Sequence, residues 1–403
     1  VEGNNYNDWA VWEKKNAAHL AKTAQKRWDD ELRMKGVNVP LPEEAFDPSN
    51  YISDDATDHY NRFREDFDIA KSLGHNGYHF SLEWSRIEPE EGKFNEKEIA
   101  HYREVISALK ERKITPMVCL SHWTLPIWIS EKDGIISSKF PDYFARYVRK
   151  VVDEYKDIVA LWQTFNEPTV PIVAGYVAGA FPPQRKNVLL AIRAYKILAA
   201  AHRKSYEIIH KLSPDAQVGF AGALVYVEPC SRSPLDKIAS NFADYWLNRH
   251  FLKLTKGTND YLAIQYYDHM KIKFPASVKS EASKISDMGS GLHQEGLYYW
   301  LMRLKKYNLP IYITENGIAD AKDKYRAEFI KDAVHYMKKA LLEGADLRGY
   351  FHWSLTDNFE WNKGFWPRFG LVEIDYKTKE RKIRKSAETY RDIILRHRIE
   401  SEK

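Results

Sequence analysis

Residues 96–120 read EKEIAHYREVISALKERKITPMVCL. Ile99, Tyr102, Ile106 and Leu109 recur at helical spacing, which predicts an amphipathic helix over Glu96–Arg112. Asn95 can cap its start, and Glu98, three residues on, would complete a capping box. Thr115–Leu120 follows as a short apolar run bounded by charge, which reads as a buried strand. The same alternation recurs along the chain. Strands are expected at Gly77–Glu83, Ala160–Asn166, Gln217–Ala223, Tyr261–Tyr267, Ile311–Glu315 and Leu347–Trp353. Helices lie between them. Pro141 opens one with Phe144, Tyr147, Val148, Val151 and Tyr155 on one face, and Val188–Leu212 and Arg326–Glu343 read as two more. Strand–helix alternation over this length predicts an α/β fold with a parallel sheet and helices outside, whose closed form is the (β/α)8 TIM barrel.

This reading contains seven strands, not eight. The chain opens Val1-Glu2-Gly3 and passes into a helical stretch, Trp9–Lys35, and then a Pro/Asp-rich loop, Val37–Asp58. The first barrel strand is therefore expected to be missing, which leaves two open sheet edges. No linker or low-complexity tract interrupts the 403 residues, so 1–403 is expected to form a single catalytic domain.

Composition narrows the function classes. The net charge of +5 comes from 61 basic and 56 acidic residues that are well interspersed, so no nucleic-acid footprint is expected. No apolar run is long enough for a membrane helix, and no membrane partner is expected. Two cysteines, Cys119 and Cys230, exclude a disulfide framework and fit a reducing, cytoplasmic setting. The oligomeric state is not legible.

Two segments carry chemistry: Thr164-Phe165-Asn166-Glu167-Pro168 and Ile313-Thr314-Glu315-Asn316-Gly317. Each places a glutamate at the end of an apolar strand, with Asn316-Gly317 read as a tight turn. One glutamate at a strand end is ordinarily a solvated carboxylate. Two at the C-terminal face of one barrel are what glycosidic bond cleavage needs, one to protonate the leaving oxygen and one to attack or shield the sugar carbon.

With these segments stand Glu2-Gly3, Trp84-Ser85-Arg86-Ile87, His122-Trp123, Tyr266-Tyr267 and the run from His352 to Trp361. In this order and spacing the chain resembles family 1 glycoside hydrolases, the β-glucosidase and β-galactosidase family, from Val1 to about Ile394. The resemblance implies a retaining exo-β-glycosidase with Glu167 as general acid/base and Glu315 as nucleophile, acting on a small-molecule β-glycoside or oligosaccharide. It implies no cofactor and no metal. His122, Trp123 and Asn166 correspond to glycone contacts, Tyr267 to the tyrosine that bonds the nucleophile, and Trp353 to the floor under the sugar. Glu360 and Trp361 correspond to the pair that grips the outer hydroxyls. A carboxylate at Glu360 would repel a phosphate dianion, so unphosphorylated β-glucosides are expected, with β-galactosides and β-fucosides as further candidates. Arg86 and Asp357 read as structural.

Four departures from the family pattern bear on activity. The family's glutamine before Glu2-Gly3 has no counterpart. His79 stands where an arginine lies beside the nucleophile, so Glu315 is expected to lose a fixed cation and its pKa to rise. Gln265 replaces an asparagine, keeping the amide on a longer arm. Ser290 and Thr169 stand where aromatic residues line the leaving-group side, with Trp366 as a partial substitute. A transglycosylase and a weak or inactive sugar-binding relative stay open as alternatives.

Overall fold

The computed structural model describes residues 2–275, 277–279 and 284–401. Seven parallel strands form a nearly closed barrel in the order β1 (Gly77–Ser81), β2 (Thr115–Cys119), β3 (Leu161–Asn166), β4 (Gln217–Pro229), β5 (Leu262–Lys273), β7 (Ile311–Gly317) and β8 (Leu347–Trp353). A short strand, β6 (Ser277–Lys279), pairs antiparallel with β5, and β9 (Val372–Ile374) pairs antiparallel with β10 (Arg381–Ile383). The expected TIM-barrel fold with seven barrel strands is thus observed.

Local chemistry explains the elements. Asn95 Oδ1 accepts from the Lys97 and Glu98 amides and caps the helix Glu96–Glu111. Glu98 does not complete the capping box; both its carboxylate oxygens accept from the Tyr60 hydroxyl at 3.0 Å. The helix Phe140–Tyr155 lays Phe144, Tyr147, Val148 and Val151 on the barrel. Phe144 stacks on Phe165 of β3 with ring centroids 4.5 Å apart. Strands covered by helices outside and by packed side chains inside are buried on both faces, as β2 and β3 are.

β1 and β8 differ. Both are half-buried along most of their length, and among the described residues no strand pairs with their outer edges. A groove of about 890 Å³ runs through this seam, past Tyr78, Phe80, Tyr350 and Phe351, and reaches His122, Trp353 and Trp361. Glu2 and Gly3 also line it.

Three local expectations change. β4 and β5 run on to Pro229 and Lys273, well beyond the barrel, as a paired ribbon. The stretch Trp9–Lys35 is two helices, Asp8–Lys22 and Ala24–Lys35, separated at Thr23, whose hydroxyl donates to the His19 carbonyl. Asn316-Gly317 is not a turn: both residues stay in β7, opposite His352 and Trp353. Gly317 is required by close approach, since a Cβ there would lie 1.8 Å from the Trp353 carbonyl oxygen.

Asp357 is structural, as read. It is fully buried and accepts from both Arg384 Nη atoms at 2.9 Å and from the Gly370 amide. Arg86 is also structural; it lies 3.6 Å from Glu2 and over the Tyr60 ring.

Candidate active site

β3 delivers Glu167. Its amide donates to the Ala221 carbonyl at 2.9 Å, extending the β3–β4 pairing one residue past the strand. Its φ of +44° is uncommon for a residue with a side chain, and such backbone concentrates at functional sites. Pro168 then starts the short helix Thr169–Ile172. The Glu167 carboxyl is buried and has no hydrogen-bond partner among the described residues. Burial, and then the nearby Glu360 charge, push its pKa up to about 8.

β7 delivers Glu315, which is held differently. Its Oε2 accepts from the Tyr267 hydroxyl at 2.9 Å and its Oε1 from Gln265 Nε2 at 2.6 Å. Both donors come from β5, the strand beside β7. The longer arm of Gln265 also reaches Asn166 Oδ1, 2.7 Å away. Asn166 Oδ1 accepts a second bond from Gln163 at 3.1 Å, while Asn166 Nδ2 donates to His122 Nε2 at 3.1 Å. His122 therefore carries its proton on Nδ1, which faces Ser81 Oγ at 3.2 Å. Burial pushes the His122 pKa down to about 3, so the ring is neutral. Glu315, Gln265, Asn166 and His122 thus form one hydrogen-bonded chain across β7, β5, β3 and the turn after β2.

The aromatic side is equally connected. Trp123 donates its indole N–H to the Asn166 carbonyl at 3.0 Å, and its ring lies 4.5 Å from Trp361. Trp361 also lies 5.5 Å from His122, and His122 6.4 Å from Trp353. The sequence reading missed Trp9, whose ring packs 4.6 Å from Trp361, and Phe181, which bridges Trp9 and Trp123. It also missed Gln163, a polar residue inside an apolar strand, which was the available signal. Trp366 is buried edge-on against Trp28. Ser290 takes a bond from Lys35 Nζ at 3.5 Å, and Thr169 is buried.

Three carboxyls with raised pKa values share this region. Glu315 is pushed up by burial first and then by Glu167, against the stabilising Tyr267 bond. Glu360 is pushed up to about 7 by burial, opposed by Lys363, which is itself paired with Glu31. Neither Glu167 nor Glu315 has a basic side chain in ion-pair contact among the described residues. His79 supplies no charge: burial holds its pKa down to about 4, and its Nε2 has no hydrogen-bond partner among the described residues.

A sequence profile described as glycosyl hydrolase family 1 matches residues 39–288 and 256–399. The chain belongs to this family. It is 32% identical to β-glucosidase A of Thermotoga maritima over 86% of this chain and 88% of that enzyme. It is 28% identical to a β-galactosidase of Pyrococcus woesei over 87% and 88% respectively. The fold superposes on a β-glycosidase from Pyrococcus horikoshii with a TM-score of 0.85 at 34% identity, covering 98% of this chain and 91% of that one. It matches the Thermotoga maritima β-glucosidase solved in complex with glucoimidazole with a TM-score of 0.82 at 32% identity, covering 85% of this chain and 88% of that one. This family 1 chain is thus a glycoside hydrolase that cleaves β-glycosides.

Proposed function

We propose that this hydrolase is a retaining exo-β-glycosidase for unphosphorylated β-glucosides, with residues 1–403 forming one catalytic domain. One observation supports the division of roles: Glu315 accepts two hydrogen bonds that favour its anion, while Glu167 accepts none. A carboxylate held by two donors is oriented for attack. A carboxyl whose pKa lies near 8 is protonated at neutral pH and can act as an acid.

In the first step a Glu315 oxygen bonds to the anomeric carbon, the bond to the leaving oxygen breaks, and that oxygen takes the Glu167 proton. The sugar ester removes the Glu315 charge. In the second step Glu167, now a carboxylate, takes a proton from water. The water oxygen bonds to the anomeric carbon, and Glu315 leaves as a carboxylate. No step needs a metal or cofactor. His122, Asn166 and Trp123 would hold the glycone hydroxyls over Trp353, and Glu360 with Trp361 would hold its outer edge. Ser290 and Thr169 leave the leaving-group side wide. A chain with only two cysteines, Cys119 and Cys230, suits a cytoplasmic location.

The stereochemistry tests this reading. Proton NMR during cleavage of an aryl β-glucoside should show β-glucose first, with α-glucose appearing only by mutarotation. Initial α-glucose would mean inversion and overturn the roles given to both glutamates. Aryl 6-phospho-β-glucoside should be the poorer substrate; faster turnover of it would overturn the part given to Glu360.

His79 sets a second expectation. A guanidinium in place of a neutral imidazole would favour the Glu315 anion. The acidic limb of kcat/KM reports that ionisation in the free enzyme. His79→Arg should therefore move the limb down by about one to three pH units. An unchanged acidic limb would mean that His79 does not act on Glu315.

A further inference from the structure

The helix Pro234–Asp244, which follows β4, is amphipathic with its faces reversed. Asp236, Ser240 and Asp244 recur every fourth residue and are buried on its inner side, at 5%, 5% and 6% exposure. Asp236 accepts from the Phe274 amide at 2.9 Å and from Ser231 Oγ at 2.6 Å. Asp244 accepts from both Arg303 Nη atoms, at 2.9 and 2.8 Å. The helix is therefore held to the barrel by polar contacts. Its outward stripe is apolar: Leu235, Ile238 and Phe242 are 54%, 66% and 67% exposed, and Phe274, bonded to the helix through Asp236, is 53% exposed.

A second apolar spot lies next door. Val188 and Leu189 open the helix Val188–Leu212, which follows β3, and are 60% and 78% exposed. Tyr195 of that helix donates to the Trp246 carbonyl just past Asp244, so the two helices are neighbours. Both begin on the C-terminal face of the barrel, because each follows a parallel strand. The exposed charges on the two segments themselves, 185–196 and 231–242, are positive. No Asp or Glu occurs between Glu167 and Glu207, whereas Arg185, Lys186, Arg193 and Lys196 are exposed there. Arg232, Lys237 and Lys273 are exposed beside the second stripe, where Asp236 is turned inward.

We propose that this face docks on an anionic lipid surface, with the apolar stripe in the headgroup boundary and the cations on lipid phosphates. The docking is peripheral, since no described helix is long and apolar enough to cross a membrane. The proposal runs against the expectation, drawn from the lack of a spanning run, that the chain has no membrane partner. A second copy of the chain is a poorer occupant. Twofold pairing of the stripe would bring two sets of cations together. The stripe also offers only on the order of 400 Å² of apolar surface per copy, against about 800 Å² per partner in a standard interface.

Vesicle co-sedimentation tests the proposal. The full chain should pellet with phosphatidylcholine vesicles containing about a third phosphatidylglycerol, and not with phosphatidylcholine alone. Binding should fall about tenfold or more as salt rises from about 0.05 to 0.5 M. Ile238→Asp combined with Phe242→Asp should lose binding while keeping parental turnover of a soluble aryl glycoside, which also certifies the fold. Equal binding to both vesicle types, binding by the double variant equal to the parent's, or no binding to either would overturn the proposal. So would a concentration-dependent dimer in sedimentation velocity that the double variant abolishes, because the stripe would then be a self-contact.

Discussion

Glu315→Ala is expected to lower kcat for an aryl β-glucoside by about four orders of magnitude or more, because the proposed nucleophile is gone. The loss should appear in kcat and kcat/KM alike, and the shape of the pH profile should vanish with it. Folding should survive. Burial already disfavours the Glu315 anion, so its removal relieves a buried charge, although the Tyr267 hydroxyl and the Gln265 amide each lose a partner. A melting curve beside the parent would establish this. A parent enzyme no faster than the variant would sink the catalytic reading and leave a sugar-binding protein in its place.

Glu167→Ala should cost about a hundredfold to ten-thousandfold with a poor leaving group and much less with an activated one, because only the former needs a proton. Glu167 accepts no hydrogen bond, so truncation breaks no network and opens space for a small anion. Azide should restore turnover and yield the β-glycosyl azide, since it attacks the face from which the leaving group departed. An α-azide product would contradict the role given to Glu167. In the parent the alkaline limb of kcat/KM should fall near pH 8, where Glu167 loses its proton. That limb should be absent from the variant.

All seven barrel strands were readable from short apolar runs, and their starts agree with the structure to within a residue. The ends of β4 and β5 were not readable. Beyond Ala223 and Tyr267 the two strands carry Glu228, Pro229, His269, Lys271 and Lys273, because the ribbon there is held by backbone pairing at the surface. Leu224-Val225-Tyr226-Val227 did carry an apolar signature for the first part of the β4 extension, and only the charged remainder of the ribbon left none. Asn316-Gly317 misled for a related reason. A dipeptide common in turns can also mark a strand against which another backbone presses closely, and only the tertiary contact with Trp353 distinguishes the two.

The site divides in the same way. Glu167 and Glu315 could be named from local context and Tyr267 through the family resemblance, and the Tyr267–Glu315 bond is present. The aromatic packing of Trp9 on Trp361 and of Phe181 on Trp123 could not, because it joins residues on different elements far apart in the sequence. The upward direction for Glu315 was expected from the loss of an arginine. Burial proves the larger cause, with Glu167 second.

The groove between β1 and β8 and the two glutamates occupy different parts of the barrel. Glu315 and its two donors lie on β7 and β5, and Glu167 follows β3, so the reacting groups sit on the unbroken arc of the circumference. The groove instead borders His122, Trp353 and Trp361, the side that would cradle the sugar. Substitutions along the groove should therefore act first on KM, and those at Glu315 and its two donors on kcat.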